Sequence, residues 1–225
     1  EKHYGGFSEY AKINGDWLVK LPNEISEKES MILGSAGFTA MLCVENIREK
    51  VKNSFGPIIV TGASGGVGSI STYLLSKLNF DVHALSGSKN TDLLKQLGVK
   101  SIISRENFLI SNKPLDKTVW AGAIDTVGSD ILSTILSQTK YNGIVVSTGL
   151  AKGFELNTTV YPFILRNISL SGVDSVYVPY KKRLKTWKNL GNLIEKKILK
   201  KIFIEKKLSD LKKISGEILK GKVDG

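Results

Sequence analysis

Apolar runs and amphipathic stretches alternate along the chain, and that alternation sets the fold class before any motif is considered. Residues 58–61, IIVT, form a short apolar run of the kind a parallel strand shows when both its faces are covered. Val67, Ile70, Leu74, Leu75 and Leu78 follow at helical spacing and predict an amphipathic helix. Residues 82–85 predict a second strand, and 91–97 a helix that stops at Gly98, a natural C-terminal cap. Residues 101–103 predict a third strand, 121–127 a fourth, 130–138 a helix and 144–147 a fifth strand. This order specifies an α/β fold: a Rossmann-type doubly wound parallel sheet with helices on both faces.

The flanks read differently. Residues 4–22 predict short strands and turns punctuated by Gly5, Gly6 and Gly15 and closing at Pro22. Ser26 and Glu29 form a capping box that opens a helical stretch, and a further helix is predicted for 37–48. Residues 154–178 read as loop, short helix and strand. Residues 181–199 predict a basic amphipathic helix with Leu184, Trp187, Leu190 and Ile194 inward, and 209–219 a last helix. No repeat or low-complexity tract interrupts the pattern.

Composition narrows the class. Of 225 residues, 41% are hydrophobic and 24% charged, the proportions of a soluble globular protein. The longest apolar runs, such as 41–44 and 57–60, are far too short to span a bilayer. No charged-then-apolar leader opens the chain, so a cytoplasmic location and no membrane partner are expected. Cys43 is the single cysteine, which rules out an internal disulfide and suits a reducing compartment. Its setting, MLCV, predicts a small buried hydrophobe. His3 and His83 lack ligand spacing, so no metal is expected. The net charge of +11 would attract polyanions. It is carried mostly by Lys and not by the bidentate Arg, so it reads as solvated surface and no nucleic-acid partner is expected.

The chemistry-bearing motif is VTGASGGVGS, residues 60–69, set between the buried strand and the amphipathic helix. Gly62 permits the tight turn off the strand. Gly65 and Gly66 let backbone amides approach a pyrophosphate, and Gly68 lets the helix pack on the strand. Ser64 and Val67 complete the loop. Amides at the helix start and the helix dipole would hold the anion. The second strand ends in Ser86, Gly87, Ser88 and Lys89. A carboxylate there would bind ribose hydroxyls and repel a 2′-phosphate; two hydroxyls and a cation instead favour NADPH.

The glycine loop also resembles that of short-chain dehydrogenases, which need a Tyr-x-x-x-Lys pair on a later helix. Tyr73/Lys77 falls on the helix directly after the loop, and Tyr177/Lys181 is interrupted by Pro179, so that class is set aside. The chain resembles instead the medium-chain dehydrogenase/reductase superfamily, in its zinc-free quinone-oxidoreductase-like division. The strings GSAGFTAMLCV, VTGASGGVGS, WAGAIDTVGSD and YPFILRNISLSGVDSV, with the Ser86-Gly87 turn, are similar to its acrylyl-CoA reductase branch.

That resemblance implies three segments. Residues 1–25 would end a GroES-like domain, 26–170 form the NADP-binding domain, and 171–225 return toward the catalytic domain. It implies NADPH-dependent reduction of the carbon–carbon double bond of acrylyl-CoA to propanoyl-CoA, and a homodimer. Ser64–Val67 match the pyrophosphate loop and Ser86–Ser88 the 2′-phosphate turn, where Ser88 stands in place of the branch's usual Arg. Arg105 matches a basic residue near the adenosine end. Asp125, Thr126, Leu150, Ile164 and Ser175 match loops lining the nicotinamide end. Ser35 and Thr39 are candidates for positioning, or hydroxyls bonded back to their own helix. No catalytic acid can be named. Lys181 and Arg183 are candidate anchors for the coenzyme A phosphates. Two other readings remain: an NADPH:quinone reductase of the same fold, and a non-catalytic NADPH-binding protein that holds RNA on its basic surface.

Overall fold

Each apolar run of the central region becomes a strand, and the sheet they build is parallel throughout. A computed structural model describes residues 5–6, 8–87 and 91–219. In chain order its elements are α1 (Glu27–Lys50), β1 (Ile58–Thr61), α2 (Gly66–Lys77), β2 (Val82–Ser86), α3 (Asp92–Gln96), β3 (Ser101–Ser104), β4 (Trp120–Asp125), α4 (Ser129–Gln138), β5 (Thr139–Ser147), α5 (Tyr161–Arg166), β6 (Ser169–Gly172), α6 (Tyr180–Leu193), α7 (Lys196–Ile202) and α8 (Leu211–Leu219). The strand order is β3-β2-β1-β4-β5-β6, with every neighbouring pair parallel. This is the doubly wound order, with the direction of winding reversing between β1 and β4.

Alternation along β1 divides the core. Ile58 and Val60 face one cluster with Leu33, Met41 and Ile47 of α1 and Leu74 and Leu75 of α2. Ile59 faces the other, with Ile131 and Ile135 of α4. The expected helix-on-both-faces architecture follows directly. β4 ends two residues earlier than its apolar run suggests, because the Asp125 side chain takes the amides of Val127 and Gly128 and turns the chain. β5 starts five residues early, with a register irregularity against β4 between Trp120 and Gly122.

The flanks depart further from expectation. The capping box is present, Ser26 and Glu29 bonding reciprocally. The two expected helices run together as α1, interrupted by a kink at Gly34, whose φ of 47° and ψ of −148° are non-helical. α1 is long and apolar enough to cross a membrane by length and composition. Its second half is core: every residue from Gly37 to Val44 is buried against the sheet or neighbouring helices.

Residues 8–22 form no strand; they hold a 3-10 turn at Gly15–Trp17. A strand needs a neighbour for its ladder, and no described segment pairs with this stretch. The basic helix is split at Ile194 into α6 and α7, so that Leu190 as well as Ile198 and Leu199 reach the same core. Glu195 stands at the break, bonded by Lys197 and Lys77 and held by them down to about 2, well below the usual carboxylate range.

α5 is tied down by one side chain. Arg166 donates to the carbonyls of Ser137 at 2.6 Å and Thr139 at 3.4 Å, and to that of Asp116 at 2.6 Å. Replacing it removes three charge-assisted bonds, although the Ser137 carbonyl keeps the Asp116 amide, so Arg166→Met is expected to lower stability by about 1–3 kcal/mol. Urea unfolding followed by circular dichroism checks this; an unchanged midpoint would show that the clamp is not needed.

Candidate cofactor cleft

The candidate site is built at the C-terminal ends of the strands, where the chain must leave β1 and enter α2. Gly62 makes the turn with φ of 59°, in the left-handed region. The Gly65 amide bonds back to the Gly62 carbonyl at 2.9 Å and closes the loop. Gly65 is also the N-cap of α2 and has no side chain to accept from the amides of the first turn. Those amides, at Gly66, Val67 and Gly68, lack intrahelical partners by the geometry of any helix start. A Cβ at Gly68 would stand 2.2 Å from the Gly62 carbonyl oxygen, so this glycine is what lets α2 sit on the loop. A Cβ at Gly66 would stand 3.1 Å from the Ala36 Cβ, which places α1, just past its kink, against the loop.

The adenosine side is equally well assembled. The Ala63 amide bonds to the Leu85 carbonyl at 3.1 Å and holds the loop beside the end of β2. Ser86 and Ser64 are joined hydroxyl to hydroxyl at 3.0 Å. Arg105, which follows the edge strand β3, lays its guanidinium over Gly87; a Cβ there would be 2.7 Å from the Arg105 Cζ. Ser88 and Lys89 lie outside the described residues.

Between β1 and β4 a polar knot fixes the cleft floor. Asp125, fully buried, accepts from the Thr61 hydroxyl at 2.6 Å and from the amides of Gly128 at 2.9 Å and Val127 at 3.4 Å. Thr61 in turn accepts from the Thr126 amide at 3.0 Å, and the Thr126 hydroxyl donates to the Thr61 carbonyl at 2.9 Å. The Asp125 carboxylate is thus committed to the protein, where it holds the loop that leaves β4 against the end of β1. Burial pushes its carboxyl above the ordinary value, outweighing the bonds from Thr61, Gly128 and Val127 that pull it down. Thr61 was not singled out in the sequence, although a hydroxyl ending an otherwise aliphatic strand is a visible signal.

The remaining candidates are placed unevenly. Thr126 and Leu150 lie together, because Gly149 packs against the Thr126 carbonyl and the Leu150 Cα approaches Gly128. Ser175 is half-buried beyond β6, in a turn where Asp174 accepts from the amides of Val176 and Tyr177. Ile164 is 67% exposed on α5, a helix anchored by Arg166 at the start of β5, the end remote from the glycine loop. Lys181 and Arg183 diverge. Arg183 donates to the Trp17 carbonyl at 2.5 Å, whereas Lys181 lines a groove with Glu45, Arg48 and Glu49. The two cannot clamp one phosphate.

Of the side groups considered, Thr39 bonds back to the Ser35 carbonyl at 2.7 Å. Cys43 is fully buried, and burial pushes its thiol up to about 12, which makes it inert. Tyr73 is buried in α2 with its phenol raised to about 12, and Lys77 is engaged by Glu195. That pair is packing, not a proton relay.

The zinc-binding dehydrogenase profile matches residues 66–196, more than half of the chain. The chain belongs to this family. Acrylyl-CoA reductase AcuI of Ruegeria pomeroyi is 41% identical over 228 residues, spanning 100% of this chain and 69% of that protein. The yhdH oxidoreductase from Salmonella enterica, solved in complex with NADP, superposes with a TM-score of 0.96 at 46% identity, over 99% of this chain and 69% of that one. Bacillus subtilis yhfP, solved with NAD bound, superposes at 0.93 with 42% identity, over 98% and 68%. The family's name refers to zinc, but no group of three or more His, Cys, Asp and Glu among the described residues could hold a metal. The described residues do not fit zinc.

The Asp125 knot has a pH signature. Its folded-state carboxyl titrates above its ordinary value of 3.8, so the folded chain holds the proton more tightly than the unfolded one. Its contribution to stability is therefore greatest below that ordinary value and falls as pH rises through the raised one. Asp125→Asn, which cannot ionise, is expected to be less stable than wild type. The gap should narrow as pH rises above that ordinary value. Parallel urea titrations check this; a gap that widens with pH would contradict the buried carboxylate.

Proposed function

We propose that this chain is the cofactor-binding part of an NADPH-dependent enzyme that reduces the carbon–carbon double bond of acrylyl-CoA to propanoyl-CoA. The observation that carries the reading is the cradle itself. A helix start with free amides, a side-chain-less cap at Gly65, and an arginine laid over Gly87 together match a dinucleotide bearing an extra phosphate. The 41% identity to an acrylyl-CoA reductase over the whole chain supports the substrate. When bound, NADPH supplies the hydride that reaches the β-carbon of the unsaturated thioester.

The chain's own residues hold and orient. Gly65, Gly66, Val67 and Gly68 present amides to the pyrophosphate, with Gly62 and Ser64 shaping the approach. Ser86, Gly87 and Arg105 form the 2′-phosphate seat, to which Ser88 and Lys89 contribute by their place in the sequence. Asp125 is a positioning residue: through Thr61 and Thr126 it sets the loops that, with Leu150 and Ser175, border the nicotinamide. Residues 26–170 form the cofactor domain, 171–225 the return toward the catalytic domain, and 1–25 the end of the latter. A homodimer in the cytoplasm completes the proposal, consistent with a lone buried thiol.

The deciding assay follows NADPH oxidation with acrylyl-CoA and, in parallel, a small quinone. Turnover of the thioester alone is expected; turnover of the quinone alone would replace this reading with a quinone reductase. Arg105→Gln should weaken NADPH by about 10- to 100-fold, as expected for a lost charge-assisted bond, and leave NADH little changed. Fluorescence titration with both cofactors reads the ratio; equal losses would remove Arg105 from the phosphate seat. Gly65→Ala is a second probe, since a Cβ there meets only the Gly62 carbonyl, at 3.4 Å. The variant should fold and bind both cofactors poorly, and unchanged affinity would clear the loop of the role.

A further inference from the structure

We infer that a second nucleotide pocket lies across α1 from the glycine loop, and that it seats the adenosine 3′-phosphate end of the coenzyme A substrate. The inference rests on the acyl-CoA reading above. The cavity, about 320 Å³, is lined by Trp17, Leu21, Pro22 and Trp187, with Lys20 and Arg183 as its cations. It is the described cavity in which two indoles meet. Trp187 is packed on one side against Phe38, with ring centroids 5.8 Å apart and planes 16° from parallel. Phe38 thereby backs and fixes Trp187 in the wall. Trp17 is 46% exposed. Its backbone carbonyl accepts from Arg183, which fixes the guanidinium among the residues lining the cavity. An adenine base needs an aromatic wall; a terminal phosphate needs a cation beside it.

Charge supports this occupant. Among the described residues neither Lys20 nor Arg183 forms an ion pair with a carboxylate, nor do Lys181, Lys182 and Lys185 on the neighbouring groove. A polyanion laid along α6 would meet Lys20 and Arg183 on one flank, and Lys181, Lys182 and Lys185, set beside Glu45 and Glu49, on the other. Position supports it too. Phe38 stands two residues beyond Ala36, which faces Gly66 of the glycine loop; two residues are about 3 Å along a helix axis. A ligand whose reactive end is over the cofactor and whose nucleotide end is in this pocket passes over the start of α1. A small quinone has no part that would reach it.

Two bisphosphates separate this pocket from the cofactor cleft. Adenosine 3′,5′-bisphosphate carries the coenzyme A pattern and adenosine 2′,5′-bisphosphate the NADPH pattern. The 3′,5′ isomer should quench the tryptophan fluorescence of the protein, and NADPH should not displace it; Trp120, the third tryptophan, is buried at the start of β4 and contributes a constant background. Trp17→Ala should weaken the 3′,5′ isomer about tenfold and leave the 2′,5′ isomer alone, with Trp17→Phe restoring most of the loss. With NADPH present, Trp17→Ala should raise KM about tenfold for acrylyl-CoA and leave KM for acrylyl-pantetheine, which lacks the nucleotide, unchanged. No quenching by the 3′,5′ isomer, or an equal rise in KM for both thioesters, would overturn the pocket. A protein that binds the 3′,5′ isomer at Trp17 but reduces neither thioester would keep the pocket and overturn the acyl-CoA reductase reading. One that reduces both thioesters with equal KM and shows no quenching would do the reverse.

Discussion

The rest of the structure depends on where two neighbouring parallel strands part. β1 and β4 run side by side, but α2 leaves one for one face of the sheet and α4 leaves the other for the opposite face. At such a point nothing in the sheet ladder closes the gap, and the loops would be free to vary. Asp125 closes it with one buried carboxylate, which joins the Thr61 hydroxyl to the amides of Val127 and Gly128. The cost of burying that group is visible in its raised titration, and the bonds it accepts offset the cost only in part. What the arrangement gains is a cleft floor in which the ends of β1 and β4 are bonded to each other.

The glycine loop exploits that fixed floor. Gly62 sits so close to Thr126 that an added Cβ would stand 2.3 Å from the threonine hydroxyl oxygen. The same hydroxyl is already committed to the Thr61 carbonyl. The loop, the end of β1 and the end of β4 are therefore one interlocked unit. The alternation of the core, with Ile58 and Val60 on one side and Ile59 on the other, holds this unit from below. Packing, backbone permissiveness and one buried charge each contribute a separate constraint, and all of them serve the same few amides.

The sequence made the sheet legible because its signals there are local. IIVT is a strand wherever it is buried on both faces, and Val67, Ile70 and Leu74 fall on one helix face at any orientation. The glycine loop was legible for the same reason, since its residues are contiguous. Other features depend on distance in space. The kink at Gly34 cannot be read from LGSAG, because a glycine in a helical pattern is as often tolerated as used. The inward turn of Asp125 depends on Thr61, 64 residues earlier. The divergence of Lys181 and Arg183 follows from helical rotation combined with the position of Trp17, 166 residues from Arg183. Charge density along a segment predicted attraction for anions but not which side of the helix would receive them.

That distinction bears on how specificity can evolve on this scaffold. The seat for the nucleotide cofactor is built mainly from backbone, and changing it means changing loop geometry that Asp125 and the glycines jointly determine. The turn after β2 is more adjustable: Arg105 follows an edge strand and reaches across Gly87 by its side chain alone. Two relatives of nearly equal likeness, one solved with NADP and one with NAD, are consistent with a difference confined to such side chains. The segment carrying Trp17 has no ladder; Leu21 packs against the core and the Trp17 carbonyl accepts from Arg183. Residues there can change without disturbing the sheet. The sheet and its loops are thus held by ladder and buried bonds, whereas residues 8–22 are held by side-chain packing and single bonds.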